Sequence, residues 1–133
     1  MATFHLQIVT PDRLVFDGQV ERVVARTVGG DVCILAKHID YAAPLGIGQA
    51  HIVDENGKEH AAACSGGMLT VYHGEVILMA TTFEWAEEID VERAERAQQE
   101  AEEKLKILQR DDREFIMASA KLKRAIARID AAK

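Results

Sequence analysis

From Glu75 to Lys133 the chain has neither glycine nor proline; all nine glycines and both prolines lie at or before Gly74. That absence removes the usual turn residues from the last 59 positions and leaves long helices unbroken. Cysteine is scarce too. Two thiols, Cys33 and Cys64, are too few to staple a disulfide scaffold. Both sit in strand-like runs without a flanking basic group, so they read as core thiols. No stretch approaches the roughly 20 apolar residues of a membrane span, and the start, Met1 to Pro11, lacks a basic region and a long apolar run. The expectation is a soluble chain without direct membrane insertion. Sixteen Lys and Arg against 22 Asp and Glu give a net charge of −6, which excludes the basic footprint of a general nucleic-acid binder.

What is present divides in two. Residues 1–83 carry 9 acids and 5 bases, and residues 84–133 carry 13 acids and 11 bases in far fewer positions. The boundary falls at about Phe83–Glu88, giving domains 1–84 and 85–133. In the first, Phe4, Leu6 and Ile8 alternate with polar residues, the period of a half-buried strand. Further short strands are expected at 20–26, 50–53, 59–64, 68–72 and 75–79. Turn signals separate them at Pro11-Asp12, Asp17-Gly18, Gly29-Gly30, Asn56-Gly57 and His73-Gly74. Short strands at this spacing predict a sandwich or barrel.

The second part predicts two helices. Val91, Ala94, Ala97, Ala101, Leu105 and Leu108 recur at steps of three and four, as do Phe115, Ala118, Leu122, Ile126 and Ile129. Arg110 closes the first helix and Asp111-Asp112 caps the second, so the join is short and the hairpin antiparallel. The fold class is α+β: an N-terminal antiparallel β-sandwich followed by a C-terminal antiparallel two-helix hairpin. The hairpin's seam is largely alanine, which buries little area, so it should open easily.

No catalytic constellation emerges. His5, His38, His51, His60 and His73 have no metal-ligand spacing, Gly46-Ile47-Gly48 is an incomplete dinucleotide fingerprint, and Ser65-Gly66-Gly67 is neither a nucleophile elbow nor a phosphate loop. The helices say more. Residues 84–103 hold nine acids and two bases, and residues 121–133 hold five bases and one acid. In an antiparallel hairpin these ends face each other. Arg93, Arg124 and Arg128 then converge beside Asp90 and Glu84. Guanidinium forks suit phosphate oxygens and a carboxylate accepts from a ribose hydroxyl or a base amino group, so the arrangement fits a nucleotide. The plainer reading of the same residues is a solvated charged face.

Five fragments in order resemble the epsilon subunit of bacterial F-type ATP synthase: Ile8-Val9-Thr10-Pro11-Asp12; Ile34 to Ile39 with Ala43-Pro44-Leu45; Ser65-Gly66-Gly67; Ile89-Asp90-Val91-Glu92-Arg93-Ala94, which matches the family's Ile/Leu-Asp-x-x-Arg-Ala motif; and Leu122 to Ala125 with Arg128. Asp40 departs from the pattern, standing where many members have proline, as does Lys37 where glycine is common.

The resemblance implies a non-catalytic central-stalk subunit that couples gamma to the c-ring, peripheral on the cytoplasmic face of the bacterial inner membrane. It implies that Asp31 and His38 face the c-ring and gamma. The hairpin would permit turnover when folded and inhibit ATP hydrolysis when extended, with Lys121, Lys123, Arg124 and Arg128 meeting the beta subunit within the alpha–beta hexamer. ATP, as a regulatory ligand at Glu84, Ile89, Asp90, Arg93, Ala94, Arg124 and Arg128, would favour the folded form. The competing reading is a free-standing β-sandwich adaptor with a helical-hairpin interaction module.

Overall fold

The computed structural model describes residues 2–133. Six strands come first: β1 (Phe4–Thr10), β2 (Arg13–Thr27), β3 (Gly30–Leu35), β4 (Tyr41–Asp54), β5 (Glu59–Tyr72) and β6 (Glu75–Trp85). A single 3-10 turn (Ala86–Glu88) leads to α1 (Val91–Ile107) and α2 (Arg113–Ala132). The sheet order is β1-β6-β5-β4-β2-β3, and β1 also pairs with β2, so the sheet closes on itself. Every pairing is antiparallel except β1 with β6, which is parallel. Leu6, Ile8, Val20, Val23, Ile34, Ile52, Leu69 and Leu78 fill the barrel-like interior.

The long strands exceed what the alternation predicts, because the side that faces the core changes partway along them. In β5, Ala62 and Cys64 face the core before Gly66-Gly67, and Leu69 and Val71 face it after. Residues 59–64 and 68–72, expected as separate strands, are therefore one. Gly67 sits at φ +106°, and a Cβ there would lie 1.8 Å from the Met79 carbonyl oxygen, so only glycine fits. This is the structural role of the Ser65-Gly66-Gly67 motif. The same change occurs in β4 between Leu45 and Ala50, across Gly46 and Gly48.

Asp17-Gly18, expected as a turn, lies inside β2, with Gly18 opposite Leu6. Strand β3 is not among the short strands that the alternation predicts, although it coincides with the strand-like run around Cys33. Cys33 projects from it into solvent, whereas Cys64 is buried, so only one of the two is a core thiol. Burial pushes the Cys64 thiol up to about 12. Among the described residues no group of His, Cys, Asp and Glu is arranged to hold a metal, and no helix is long and apolar enough to cross a membrane.

The helices pack antiparallel, and α2 alone lies broadly against the barrel, over β4 and β5. Its contacts there are small: Ala127 and Ala131 meet Ala63, with Ile47 and Ile89 at the edge. Between the helices the buried residues are again alanines, Ala94 and Ala101 from α1 and Ala118 and Ala125 from α2. Val91 and Ile126, expected in the apolar stripe, are exposed instead. Helix α1 ends at Ile107 with Lys104 and Lys106 in its last turn, so Arg110 belongs to the join. Asp112 has the N-cap position of α2, but its carboxylate accepts from the Gln109 N–H at 3.2 Å, tightening the join instead of capping the helix.

Candidate functional site: a cleft between barrel and hairpin

Glu84 is paired with Ala63 of β5 and points to the side of the sheet that the hairpin covers. Arg128 of α2 reaches it: Arg128 Nε donates to Glu84 Oε1 at 2.5 Å, with both side chains about one-third exposed (30% and 36%). A second, looser tie, Arg13 to Glu88 at 3.8 Å, joins the β1–β2 turn to the 3-10 turn. Among the described residues no Lys or Arg of α2 lies within 4.0 Å of an α1 carboxylate. The opposite charges of the two helix ends therefore act at a distance and not through paired side chains.

Asp90 explains the motif's spacing. It is the N-cap of α1, and its Oδ1 accepts from the Arg93 N–H at 3.1 Å, while the Ala94 N–H reaches the Asp90 carbonyl at 3.0 Å. Arg93 consequently leaves the first turn toward solvent and Ala94 turns inward, buried under α2. Three residues apart on a helix start, a carboxylate and a guanidinium come to one side by geometry alone.

These residues surround one cavity of about 290 Å³, walled by Glu84, Glu88, Asp90, Arg93, Ala94, Ala97 and Arg128. Ala97 and Arg128 also wall a groove of about 500 Å³ between the helices, which Lys104, Lys121 and Arg124 line further along. Of the seven residues expected to hold a nucleotide, five share the first cavity. Arg124 lies one turn away in the adjoining groove, so the three guanidiniums do not converge at one point. Ile89 is packed against Ala127 and Ala131 and is absent from the wall. Glu88 and Ala97 were missed, although Ala97 stands four residues after Arg93 on the same helix face. The combination is two guanidiniums and three carboxylates on a cleft whose walls come from β6, the linker, α1 and α2.

The other expected contact residues lie elsewhere. Asp31 is the second residue of β3 and is held by Arg26 through Nε to Oδ1 at 2.5 Å and Nη2 to Oδ2 at 3.3 Å. That guanidinium keeps the Asp31 carboxyl below the ordinary carboxylate value. The Arg26 stem occupies the space above Gly48, where a Cβ would come within 2.8 Å of it. His38 lies past the far end of β3, with its Nδ1 2.7 Å from the Ile39 carbonyl oxygen and its ring edge-on to Tyr41. Asp31 and His38 thus flank opposite ends of one strand. On α2, Lys121, Arg124 and Arg128 line the interhelical groove, whereas Lys123 lines a different groove, of about 670 Å³, with Arg26 and Asp31. The expected basic face is split in two by the helix turn.

Residues 3–86 match the family described as ATP synthase, Delta/Epsilon chain, beta-sandwich domain, and residues 87–133 match its long alpha-helix domain. The ATP synthase epsilon chain of Shouchella clausii is 41% identical over 133 residues, covering 100% of this chain and 97% of its own. That of Alkalihalophilus pseudofirmus is 42% identical over 130 residues, covering 98% and 97%. Among solved structures, a chain of the Euglena gracilis mitochondrial ATP synthase, in an assembly described as OSCP/F1/c-ring, superposes with a TM-score of 0.84 at 27% identity, covering 99% of this chain and 82% of its own.

Proposed function

This chain belongs to the delta/epsilon-chain family of ATP synthase, and from that premise we propose that it is the epsilon subunit of the central stalk, whose helical hairpin is a nucleotide-sensitive brake on ATP hydrolysis. The subunit is non-catalytic; its work is to bind and to move. One observation carries the regulatory part: the cavity at Glu84, Asp90, Arg93 and Arg128 has walls from both the barrel and the two helices, so it exists only while the hairpin is docked.

A ligand that fits such a cleft shifts the population toward the docked form by its preference for that form alone. ATP suits the walls. Phosphate oxygens match Arg93 and Arg128, with Arg124 and Lys121 along the adjoining groove, and Glu84 or Asp90 accepts from a ribose hydroxyl or the adenine amino group. The alanine seam keeps the energy gap between docked and released forms small enough for one ligand to bias it. Released, the hairpin would extend into the alpha–beta hexamer, where the same arginines and Lys121 and Lys123 would meet beta-subunit carboxylates.

The barrel supplies the rotor contacts in this reading. Val9, Ile77, Met79 and Met68 form an outward-facing row across β1, β6 and β5 that the hairpin leaves uncovered, with Met68 and Met79 exposed. Contact with gamma, and with the c-ring near Asp31, would seat the chain peripherally at the cytoplasmic face of the bacterial membrane.

The test is coexpression with the gamma subunit and the alpha–beta hexamer, followed by hydrolysis assays with and without residues 85–133. Copurification with gamma and faster hydrolysis by the truncated complex support the proposal. A chain that purifies without gamma is a free-standing adaptor, and equal hydrolysis rates remove the brake.

A further inference from the structure

Far from the cleft, on the outer surface of the barrel, His5 of β1 lies between two carboxylates. Its Nε2 contacts Asp17 of β2 and its Nδ1 contacts Glu75 of β6, the latter at 2.5 Å. The register puts it there: His5 stands opposite Gln19 and Glu75, while Gln7, next on the same face, stands opposite Asp17 and donates to it at 3.3 Å. The ring therefore spans all three strands at the one place where the sheet closes, since β1 alone joins β2 to β6.

An ionised carboxylate only accepts hydrogen bonds, so an imidazole facing one through each nitrogen needs a hydrogen on both. The neutral ring has one. On deprotonation, one nitrogen lone pair turns toward a carboxylate oxygen, and the net charge of the three groups goes from −1 to −2. One of the two strand ties must break.

We propose that His5 is a proton-dependent staple of barrel closure: as an imidazolium it ties β1 to β2 and β6 together, and losing the proton loosens β1. The charged groups that face it are Asp17 from β2 and Glu75 from β6, and β1 contributes no other charged side chain. Behind Glu75, on β5, stands Tyr72, followed by His73 in the turn. The hydrogen bond that His5 donates to Asp17 chiefly, then the one it donates to Glu75, raises the His5 pKa above its ordinary 6.5, and His5 in turn holds Asp17 below the usual carboxylate value. A histidine whose folded pKa is raised stabilises fully below its unfolded value of 6.5, and that contribution is lost as pH rises through the folded value.

The test is an NMR titration of the His5 ring in the full chain, for the wild type and Asp17→Asn, with urea midpoints from about pH 5.5 to about 9.5 for the wild type and His5→Gln. The proposal expects His5 to titrate above 6.5 in the wild type and to shift downward in Asp17→Asn. It also expects the wild-type midpoint to decline with rising pH relative to His5→Gln. A folded His5 titrating at or below 6.5, no shift in Asp17→Asn, or parallel midpoint curves would overturn it. Should His5→Gln not fold, the Asp17→Asn shift decides alone.

Discussion

Arg128 donates through Nε to Glu84 at 2.5 Å, and so the second helix is fastened to the last strand by one hydrogen-bonded ion pair at the mouth of the cleft. The buried centre of that attachment is alanine against alanine, with Ile47 and Ile89 at its edge. A docking surface made of Ala63, Ala127 and Ala131 buries few methyl groups, so a single polar contact holds an unusual share of the energy. The Nη groups of Arg128 are not engaged by Glu84 in this contact, so the guanidinium can hold the strand and face the cavity together.

Removing either partner should release α2 without unfolding the barrel. Because both side chains are about one-third exposed, solvent screening limits the pair, and a coupling energy of about 1 kcal/mol is expected from Glu84→Gln, Arg128→Ala and the double variant. Amide exchange across α2 should rise about fivefold in each single variant, while β2 and β5 amides remain protected. Equal exchange in wild type and variants would mean that the pair does not hold the hairpin.

Packing gives a second separation of the two parts. Ala127 is buried against the barrel, so Ala127→Leu overfills the docking surface at a cost of about 1–3 kcal/mol. Its effect should appear as faster α2 exchange with an unchanged urea midpoint for the barrel. Leu69 is fully buried in the barrel interior, and Leu69→Ala should destabilise the barrel by about 2–5 kcal/mol and so lower that midpoint. If both variants changed both readouts alike, barrel and hairpin would be one cooperative unit.

The two thiols should differ sharply in reactivity. Cys33 is exposed on β3, and Cys64 is buried with its pKa pushed up to about 12. Alkylation at a pH near 8 should modify one thiol per native chain, Cys33 by mass mapping, and the second only in denaturant. Modification of Cys64 in the native chain would contradict the packing described for β5.

The sequence announces some of this and hides the rest, for physical reasons. Asn56-Gly57 is legible as a hairpin turn because Gly57 at φ +81° needs glycine, and Asp54 accepts from the Asn56 and Lys58 N–H groups around it. Long strands are not legible where Gly46, Gly48, Gly66 and Gly67 interrupt the alternation, because those glycines switch the core-facing side instead of ending the strand. Gly18 misleads differently: it keeps the register of β2, between Phe16 and Val20 on the core-facing side, and ends nothing. At the site, Asp90, Arg93 and Ala94 are legible because a helix start fixes their relation locally. Glu88 and the separation of Arg124 from Arg93 depend on how α2 sits on the barrel, which no local pattern encodes.

The most direct test of the nucleotide-sensitive hairpin is calorimetric titration of ATP into the isolated chain, beside Asp90→Ala and Arg128→Ala. The account predicts saturable binding by the wild type, loss of binding in both variants, and slower α2 amide exchange when ATP is present. Absence of binding at millimolar ATP, or binding that leaves α2 exchange unchanged, would contradict it and reduce the cleft to the structural joint between barrel and hairpin.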